Sequence, residues 1–445
     1  MNMKKLFAMT LMIALALALA LFTACDRDYG SADPSTDGET QAPSPAPTLS
    51  PTPAPSPGPT PGPADDPAPL PSFEGKIAIV TFDASDNVEE YTSAETLQKK
   101  YGEEKIIHRV WPVDFPADSE QMVAILQMIA DDPDVRAVVL NGAVANSNAA
   151  VDALLEARPG TFVAYCNPEE SPQEVVGRAN LSIAINEQLR AETIVIQAKA
   201  MGAKVFAHYS FPMYLADPAP KQIRDDMMDV CEREGLTFVD LNTPGFTGGV
   251  DIAGVQQFIL DDVPKQVAEW GRNTAFYSPN CALQVPLIEA VIVNRAIYPE
   301  PCHPSPYHRF PEALEIASVA YYGTNIGVND EGMPIDLGNL KRALEIIEEI
   351  RSLIDDYEAT GRLATWPVPL SMMSTAVAAE YAIKWINGEV PGEKGAIDYA
   401  VFKELCESYI FETTGRHLGV EVNPLSLTGR TYNSYLLVVM DSLIF

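Results

Sequence analysis

Short apolar runs alternate with amphipathic stretches from about residue 76 onward. Four β-strands are predicted at residues 76–82, 105–110, 137–140 and 161–165. Helices are predicted at residues 94–102 and 120–131. Asp118 and Gln121 together form a capping-box start for the second of these helices. Continuous β-branched strands separated by helices are typical of a parallel sheet that is covered on both faces.

The same rhythm restarts near residue 186. Helices are predicted at residues 186–201, 221–234, 251–270 and 282–296, with strands at 204–209, 236–241 and 274–277. A later helix has an apolar face made of Leu340, Leu344, Ile347, Ile350, Ile354 and Tyr357. A last strand is predicted at residues 435–440. Two successive βαβ sets predict an α/β fold of two doubly wound parallel-sheet lobes joined by a hinge.

The N-terminus has the organisation of an export signal. Lys4 and Lys5 precede residues 6–24, which carry no charge, and Cys25 follows. The run Leu21-Phe22-Thr23-Ala24-Cys25 resembles a bacterial lipobox, in which the cysteine is lipidated, with phenylalanine where that pattern prefers leucine. An uncleaved anchor helix is the alternative, because the apolar run is just long enough to span a bilayer. Both interpretations predict an exported protein held at the outer face of the cytoplasmic membrane.

A proline-rich tract follows the cysteine, with 14 prolines among the 41 residues from 31 to 71. Proline removes a backbone donor and favours extended polyproline II, so this tract predicts a disordered stalk. The predicted organisation is a signal peptide at 1–24, a lipidated cysteine and linker at 25–72, a first lobe at 73–183 plus 369–445, and a second lobe at 184–368.

The chain is strongly acidic, with 61 Asp and Glu against 30 Lys and Arg and a formal net charge of −31. A nucleic-acid binder needs a basic surface to neutralise phosphates, so that class is excluded. Docking on anionic lipid through a basic patch is excluded for the same reason, and contact with the membrane is expected through the lipid anchor.

Sequence motifs of common enzymes are absent. There is no G-x-x-x-x-G-K-[ST], G-x-G-x-x-G, G-x-S-x-G or H-E-x-x-H motif. Asp83, Glu169, Asp240 and His208 could act as acid–base groups, but no spacing pairs them. The chain is therefore predicted to have no cofactor and not to be an enzyme.

Five cysteines remain besides Cys25. A disulfide such as Cys281–Cys302 could form, although the connectivity cannot be read from the sequence. The segment 302–308, with the sequence CHPSPYH, could hold a soft metal ion. Its prolines instead favour a stiff loop, and no second cluster of ligands accompanies it, so no metal site is predicted.

Polar and aromatic residues follow several predicted strands, where ligands bind in open α/β sheets. The candidate ligand-binding residues are Phe82, Asp83, Ser85, Asn141, Asn146, Asn167, His208, Tyr209, Asn242, Asn280 and Trp366. Amides and hydroxyls could bind the polar groups of a small ligand while aromatic rings stack on it. The same residue types also form turns and helix caps, so each position has a purely structural alternative.

A lipidated cysteine, a linker and two α/β lobes together resemble the type I periplasmic-binding proteins. The segment 361–367 (GRLATWP) and the helix at 374–388 are similar to the last crossover of the sugar-type members, and residues 183–187 would form the other crossover. The chain also resembles a bacterial lipoprotein family, domain of unknown function 3798.

The resemblance implies a solute-binding lipoprotein that captures a small polar ligand between its lobes for an ABC-type importer. A ligand-sensing or surface-interaction protein without transport is the main alternative. An enzyme on the same fold is a further alternative.

Overall fold

The computed structural model describes residues 71–112, 118–245, 251–316 and 340–445. The predicted signal peptide, Cys25 and nearly all of the stalk lie outside the described residues.

The first stretch alternates strands and helices. Its elements are β1 (Lys76–Thr81), α1 (Val88–Tyr101), β2 (Ile106–Val110), α2 (Ser119–Ala130), β3 (Val135–Asn141), α3 (Ser147–Ala157), β4 (Phe162–Cys166), α4 (Pro172–Val175) and β5 (Leu181–Ile185). Helix α1 begins earlier than predicted because the Asn87 side chain accepts hydrogen bonds from the backbone N–H groups of Glu89 and Glu90. Strand β5 was not predicted as a strand.

The middle of the chain repeats this alternation. Its elements are α5 (Glu187–Ala200), β6 (Val205–Ser210), α6 (Pro218–Glu234), β7 (Thr237–Asn242), α7 (Ile252–Trp270), β8 (Thr274–Tyr277), α8 (Gln284–Asn294), α9 (Phe310–Ala313), α10 (Leu340–Asp356) and β9 (Ala364–Thr365). Three residues of the apolar face predicted for α10, Ile347, Ile350 and Ile354, are buried in the core of this part. Tyr357 was wrongly included, because it follows the end of the helix at Asp356 and is exposed.

The C-terminal part consists of α11 (Leu370–Ile386), α12 (Tyr399–Thr414), β10 (Val420–Leu427), β11 (Arg430–Met440) and β12 (Leu443–Ile444). The β10–β11 hairpin lengthens the strand predicted at 435–440 and adds an antiparallel partner at the edge of the sheet. Glutamate and asparagine interrupt the apolar pattern of β10, which is why its sequence does not predict a buried strand.

The first lobe is built on a seven-stranded sheet in the order β10-β11-β5-β4-β3-β1-β2. Every pairing is parallel except that of β10 with β11. Side chains of β1 alternate between the faces, so that Ile77 and Ile79 enter one core cluster while Ala78 and Val80 enter the other. Each face of the sheet is therefore covered, as the continuous apolar strands predicted.

The second lobe has a parallel sheet in the order β7-β6-β8. Parallel bridges continue it from Ala275 to Ile297 and from Tyr298 to Leu363. Strand β9 lies next in the chain and pairs antiparallel with β12. The two-lobed α/β architecture expected from the sequence is confirmed.

Within the described ranges the chain passes between the two sheets three times. The first passage joins β5 to α5, the second joins β9 to α11, and the third joins β11 to β12. The third was not predicted, and it corrects the proposed boundary, because Leu443 pairs with Thr365 and Phe445 is buried in the second core. Residues 443–445 therefore belong to the second lobe and not to the first.

Candidate functional site

A cavity of about 360 Å³ lies between the lobes, at the carboxyl ends of the parallel strands of the first sheet. The first lobe contributes residues that follow or end β1, β3 and β4, together with the start of α1. The regions where the chain passes between the lobes contribute Ala184, Ile185, Glu187 and residues 369–371, and the second lobe contributes residues 303–305 and 308. This is the place where open α/β sheets bind ligands.

Three of the predicted ligand-binding residues line this cavity, namely Phe82, Asn141 and Asn167. The Phe82 ring lies over Gly142, where a Cβ atom would come within 2.2 Å of the ring and where φ is +54°. Glycine is therefore required at this position on both steric and conformational grounds.

The amide of Asn141 is used by the protein itself. Its nitrogen donates to the Ser371 carbonyl at 2.6 Å and to the Thr375 hydroxyl, and its oxygen accepts from the Gly142 and Asn167 nitrogens. An amide that already makes four hydrogen bonds has no capacity left for a ligand. Asn141 thus supports the cavity wall by tying β3 to α11.

The structure places the other eight candidates outside the cavity. Asp83 and Ser85 form the turn before α1, with the Asp83 carboxylate accepting from the Ser85 N–H at 2.9 Å. Asn146 precedes α3, Asn242 ends β7 as an exposed residue, and Asn280 precedes Cys281. These residues therefore lie in turns or at the ends of helices and strands, which is the structural role that the sequence also allowed.

His208, Tyr209 and Trp366 are buried inside the lobes. The ring of His208 lies about 6 Å from those of Phe238 and Tyr277 within the second sheet, and the Tyr209 hydroxyl donates to Asp262 at 2.8 Å. Both residues precede the end of β6 at Ser210, so their side chains point into the layers on either side of the sheet. Trp366 belongs to the core of the first lobe.

The acid–base candidates are not assembled into one site. Glu169 lines the cavity, whereas Asp83 lies in the turn before α1. His208 and Asp240 face each other at 3.5 Å in the second sheet.

The cavity is acidic, which the strand-end residues did not predict. Asp86, Glu89, Glu90, Glu169 and Glu187 line it, while the described lining residues include no Lys or Arg. Burial raises the pKa of Glu90 to about 8, with smaller raising contributions from the carboxylates of Glu89 and Asp86 and an opposing one from the hydrogen bond of the Phe82 N–H. Glu90 is therefore protonated at neutral pH, and its side chain accepts a hydrogen bond from the Phe82 N–H.

Glu89 joins the two lobes. One carboxylate oxygen accepts from the Ser305 hydroxyl of the second lobe at 3.0 Å, and the other accepts from the Ser371 hydroxyl at the start of α11 at 2.6 Å. An acidic first turn after an N-cap was visible in the sequence, but such residues normally serve the helix dipole. Only the packing of the lobes shows that Glu89 points at the opposite wall.

Arg190 holds residues 300–302, which directly precede the second-lobe wall of the cavity. Its guanidinium donates to the Glu300 carboxylate at 2.6 Å and to the carbonyls of Pro301 and Cys302 at 2.8 and 2.7 Å. Burial raises the pKa of Glu300 to about 7, and the charge of Arg190 opposes that shift.

Four potential metal ligands meet beside the cavity. Cys281, Cys302, His303 and His308 each offer one ligand atom, and these atoms all lie within 4.8 Å of one another. The Cys281 sulfur is 3.3 Å from the Cys302 sulfur and 3.2 Å from His303 Nδ1, and the Cys302 sulfur is 3.4 Å from His308 Nε2. The spacing of residues in the sequence suggested Cys302, His303 and His308 as metal ligands but did not include Cys281.

None of the helices in the described ranges is both long enough and apolar enough to cross a membrane.

Two proteins of Treponema pallidum (strain Nichols), each described as an uncharacterized protein, are similar to parts of the chain. The first is 26% identical over 164 residues, which cover 37% of this chain and 76% of the relative. The second is 27% identical over 143 residues, which cover 32% of this chain and 65% of the relative.

The fold is shared with a solved structure. A crystal structure from Clostridium difficile 630, described as a candidate transcriptional regulator, has a TM-score of 0.71 at 22% identity and covers 84% of this chain and 100% of that one. An ABC transporter solute-binding protein of Clostridium phytofermentas with bound L-rhamnose has a TM-score of 0.40 at 8% identity, covering 84% and 96% of the two chains.

The family expected from the sequence is confirmed by a direct match. Residues 75–328, more than half of the chain, match the sequence profile of the family described as "Protein of unknown function (DUF3798)". The chain, with its two parallel-sheet lobes, belongs to this family.

Proposed function

We propose that this protein is a solute-binding lipoprotein, anchored outside the cytoplasmic membrane, that captures a small polar ligand between its lobes for an ABC-type importer. The observation that carries the proposal is the cavity of about 360 Å³ whose walls come from both lobes and from the segments that connect them. Its volume lies in the range of small-molecule pockets.

The acidic lining restricts the chemistry of the ligand. Carboxylates accept hydrogen bonds and repel negative charge, and no Lys or Arg among the described lining residues could neutralise a phosphate or carboxylate group. The protonated side chain of Glu90 adds one hydrogen-bond donor near neutral pH. The expected ligand is therefore a neutral, hydroxyl-rich molecule or an amine.

Lobe closure would couple to ligand binding through the Glu89 contact. The bonds from Ser305 and Ser371 to Glu89 join the walls of the cavity on one side. A ligand that touches both walls stabilises the closed arrangement by its differential affinity for it. A closed pair of lobes then offers the surface that a permease recognises.

Native mass spectrometry of the gently purified full chain tests the proposal by identifying the small molecule that it carries. Calorimetric titration with that molecule is expected to show that Phe82→Ala weakens binding by about 1–3 kcal/mol, because a ring on the cavity wall is lost. Phe411→Ala, which removes a half-exposed ring of α12 far along the chain, is the matched control and should bind as the wild type does.

Equal affinity of the Phe82→Ala and wild-type proteins would contradict the cavity as the binding site. A co-purified dianion such as a dicarboxylate or a phosphate ester would contradict the ligand chemistry inferred from the acidic lining.

The anchoring part of the proposal has its own test. Cys25→Ala is expected to abolish incorporation of labelled fatty acid and leave the precursor unprocessed, because the cysteine thiol is the acceptor of the lipid. Cys231→Ala, at a buried helical cysteine, should be labelled as the wild type is. Normal lipid labelling of Cys25→Ala would refute the lipoprotein assignment and leave the cavity argument intact.

A further inference from the structure

We propose that Cys281, Cys302, His303 and His308 bind one Zn²⁺ ion that resides permanently in the second lobe. Two sulfur and two imidazole ligands are the set found in closed, four-coordinate zinc sites. The inference rests on the position of these four side chains and is independent of the proposed transport function.

The distances suit a tetrahedral ion. Zinc–sulfur bonds of about 2.3 Å and zinc–nitrogen bonds of about 2.0–2.1 Å place the ligand atoms of a tetrahedron roughly 3.3–3.8 Å apart. The sulfur of Cys302 lies 3.3 Å from the Cys281 sulfur, 3.4 Å from His303 Nδ1 and 3.4 Å from His308 Nε2. Four of the six separations between the ligand atoms thus lie between 3.2 and 3.4 Å, close to those of a tetrahedral zinc site, and the other two lie within 4.8 Å.

The loops that carry the two cysteines are held by buried side chains. The Gln284 amide nitrogen donates to the Asn280 carbonyl at 2.9 Å, next to Cys281, and its oxygen accepts from the Cys302 N–H at 3.3 Å. Arg190 donates to the Cys302 carbonyl at 2.7 Å. Such outer contacts orient metal ligands before the ion binds and raise its affinity.

The position of the ligands indicates a resident ion and not a transported one. All four come from the second lobe, so the site is complete without closure onto the first lobe. Four protein ligands also fill the tetrahedron and leave no position for an outside molecule. Cys281, Cys302 and His308 are buried, as expected of a structural site.

The ion would shape the wall of the ligand cavity. The segment between His303 and His308 contains Ser305, whose hydroxyl donates to Glu89 across the cleft. Cross-linking both ends of this segment through zinc fixes Ser305 toward the first lobe. The metal therefore stabilises the second-lobe half of the cleft.

A Cys281–Cys302 disulfide is the competing use of these residues, because extracytoplasmic compartments oxidise thiols. A disulfide needs no imidazole, however, and here two imidazole nitrogens lie within 3.4 Å of the Cys302 sulfur. Soft sulfur with imidazole is the combination that selects Zn²⁺.

Metal analysis of the full chain, purified in detergent without chelators, tests the proposal. The wild type is expected to contain about one zinc per chain, and the Cys281→Ser/Cys302→Ser double variant is expected to fall to background. Cys231→Ser, which removes another buried thiol of the second lobe, should keep its zinc. A chelator should lower the Tm of the wild type and of Cys231→Ser but not that of the double variant.

A second measurement does not depend on the variants folding. Apo wild type titrated with Co²⁺ should develop the intense ligand-field bands of a tetrahedral ion together with thiolate-to-cobalt charge-transfer bands, saturating at one equivalent. Zinc-free protein with weak octahedral cobalt bands would overturn the proposal. So would a Cys281–Cys302 disulfide found by peptide mapping of the freshly purified protein, or one equivalent of copper in place of zinc.

Discussion

Replacing Arg190 by methionine is expected to lower the free energy of unfolding by about 3–5 kcal/mol, because the buried Glu300 side chain loses the guanidinium that compensates its charge. Arg190 and Glu300 are both nearly inaccessible to solvent, with side-chain exposures of 5% and 3%, and their charged atoms lie 2.6 Å apart. The carbonyls of Pro301 and Cys302 lose their donors in the same variant, which adds to the cost.

Urea denaturation at neutral pH, with chelator present so that bound metal does not contribute, measures this change. The double variant Arg190→Met/Glu300→Gln should recover part of the loss, since no uncompensated charge then remains buried. Arg178→Met is the matched control, because it breaks an ion pair with the largely exposed Asp152 and should cost below about 1 kcal/mol. If Arg190→Met lowered the free energy of unfolding no more than Arg178→Met does, the buried ion pair would not be a principal source of stability in the second lobe.

Glu90→Gln is expected to stabilise the protein by about 3–5 kcal/mol above pH 8 and to leave it nearly unchanged below pH 4.5. Burial raises the pKa of Glu90 in the folded protein from 4.5 to about 8. Between these two values the folded state binds more protons than the unfolded state, so the free energy of unfolding falls as the pH rises. Glutamine carries no charge and keeps a carbonyl oxygen that can accept from the Phe82 N–H.

The measurement is the free energy of unfolding of both proteins across pH 4–9. Only the difference between them reports on Glu90, because Glu300, whose pKa is raised to about 7, contributes a similar fall to the wild type. Glu404→Gln, at an exposed position of α12, should follow the wild-type curve. Parallel curves for Glu90→Gln and wild type would show that Glu90 is ionised and hydrated in the cleft.

Much of the fold could be predicted from local patterns. Strands such as β1 and β3 are continuous apolar runs, which only a sheet covered on both faces can bury. The end predicted at residue 234 for the helix that is now α6 is confirmed, and Gly235 follows it with φ +75°. Strand β10 was missed because glutamate and asparagine interrupt its apolar pattern. The return of residues 443–445 to the second lobe was missed because their pairing partners in β9 are distant in sequence.

The candidate site was predicted less well. The rule that ligands bind at strand ends located Phe82 and Asn167 in the cavity, and it also placed Asn141 there. The rule could not show that the Asn141 amide is hydrogen-bonded to Ser371 and Thr375 and does not face a ligand, because those two residues lie more than 200 positions away in the chain. His208 and Tyr209 were included because a strand end cannot be located to one residue from its sequence, and one residue reverses the direction of a side chain.

The sequence by itself determined the α/β class, the two lobes and the acidic character, because these follow from composition and from hydrophobic periods of two to four residues. It also predicts an export signal at the N-terminus. Only the tertiary structure determined which side chains come together at the cavity and at the proposed metal site. Glu89 meets Ser305, and Cys281 meets His303 and His308, only after segments far apart in the chain have packed. Such meetings depend on side-chain direction and crossover geometry, which no local pattern of residues encodes.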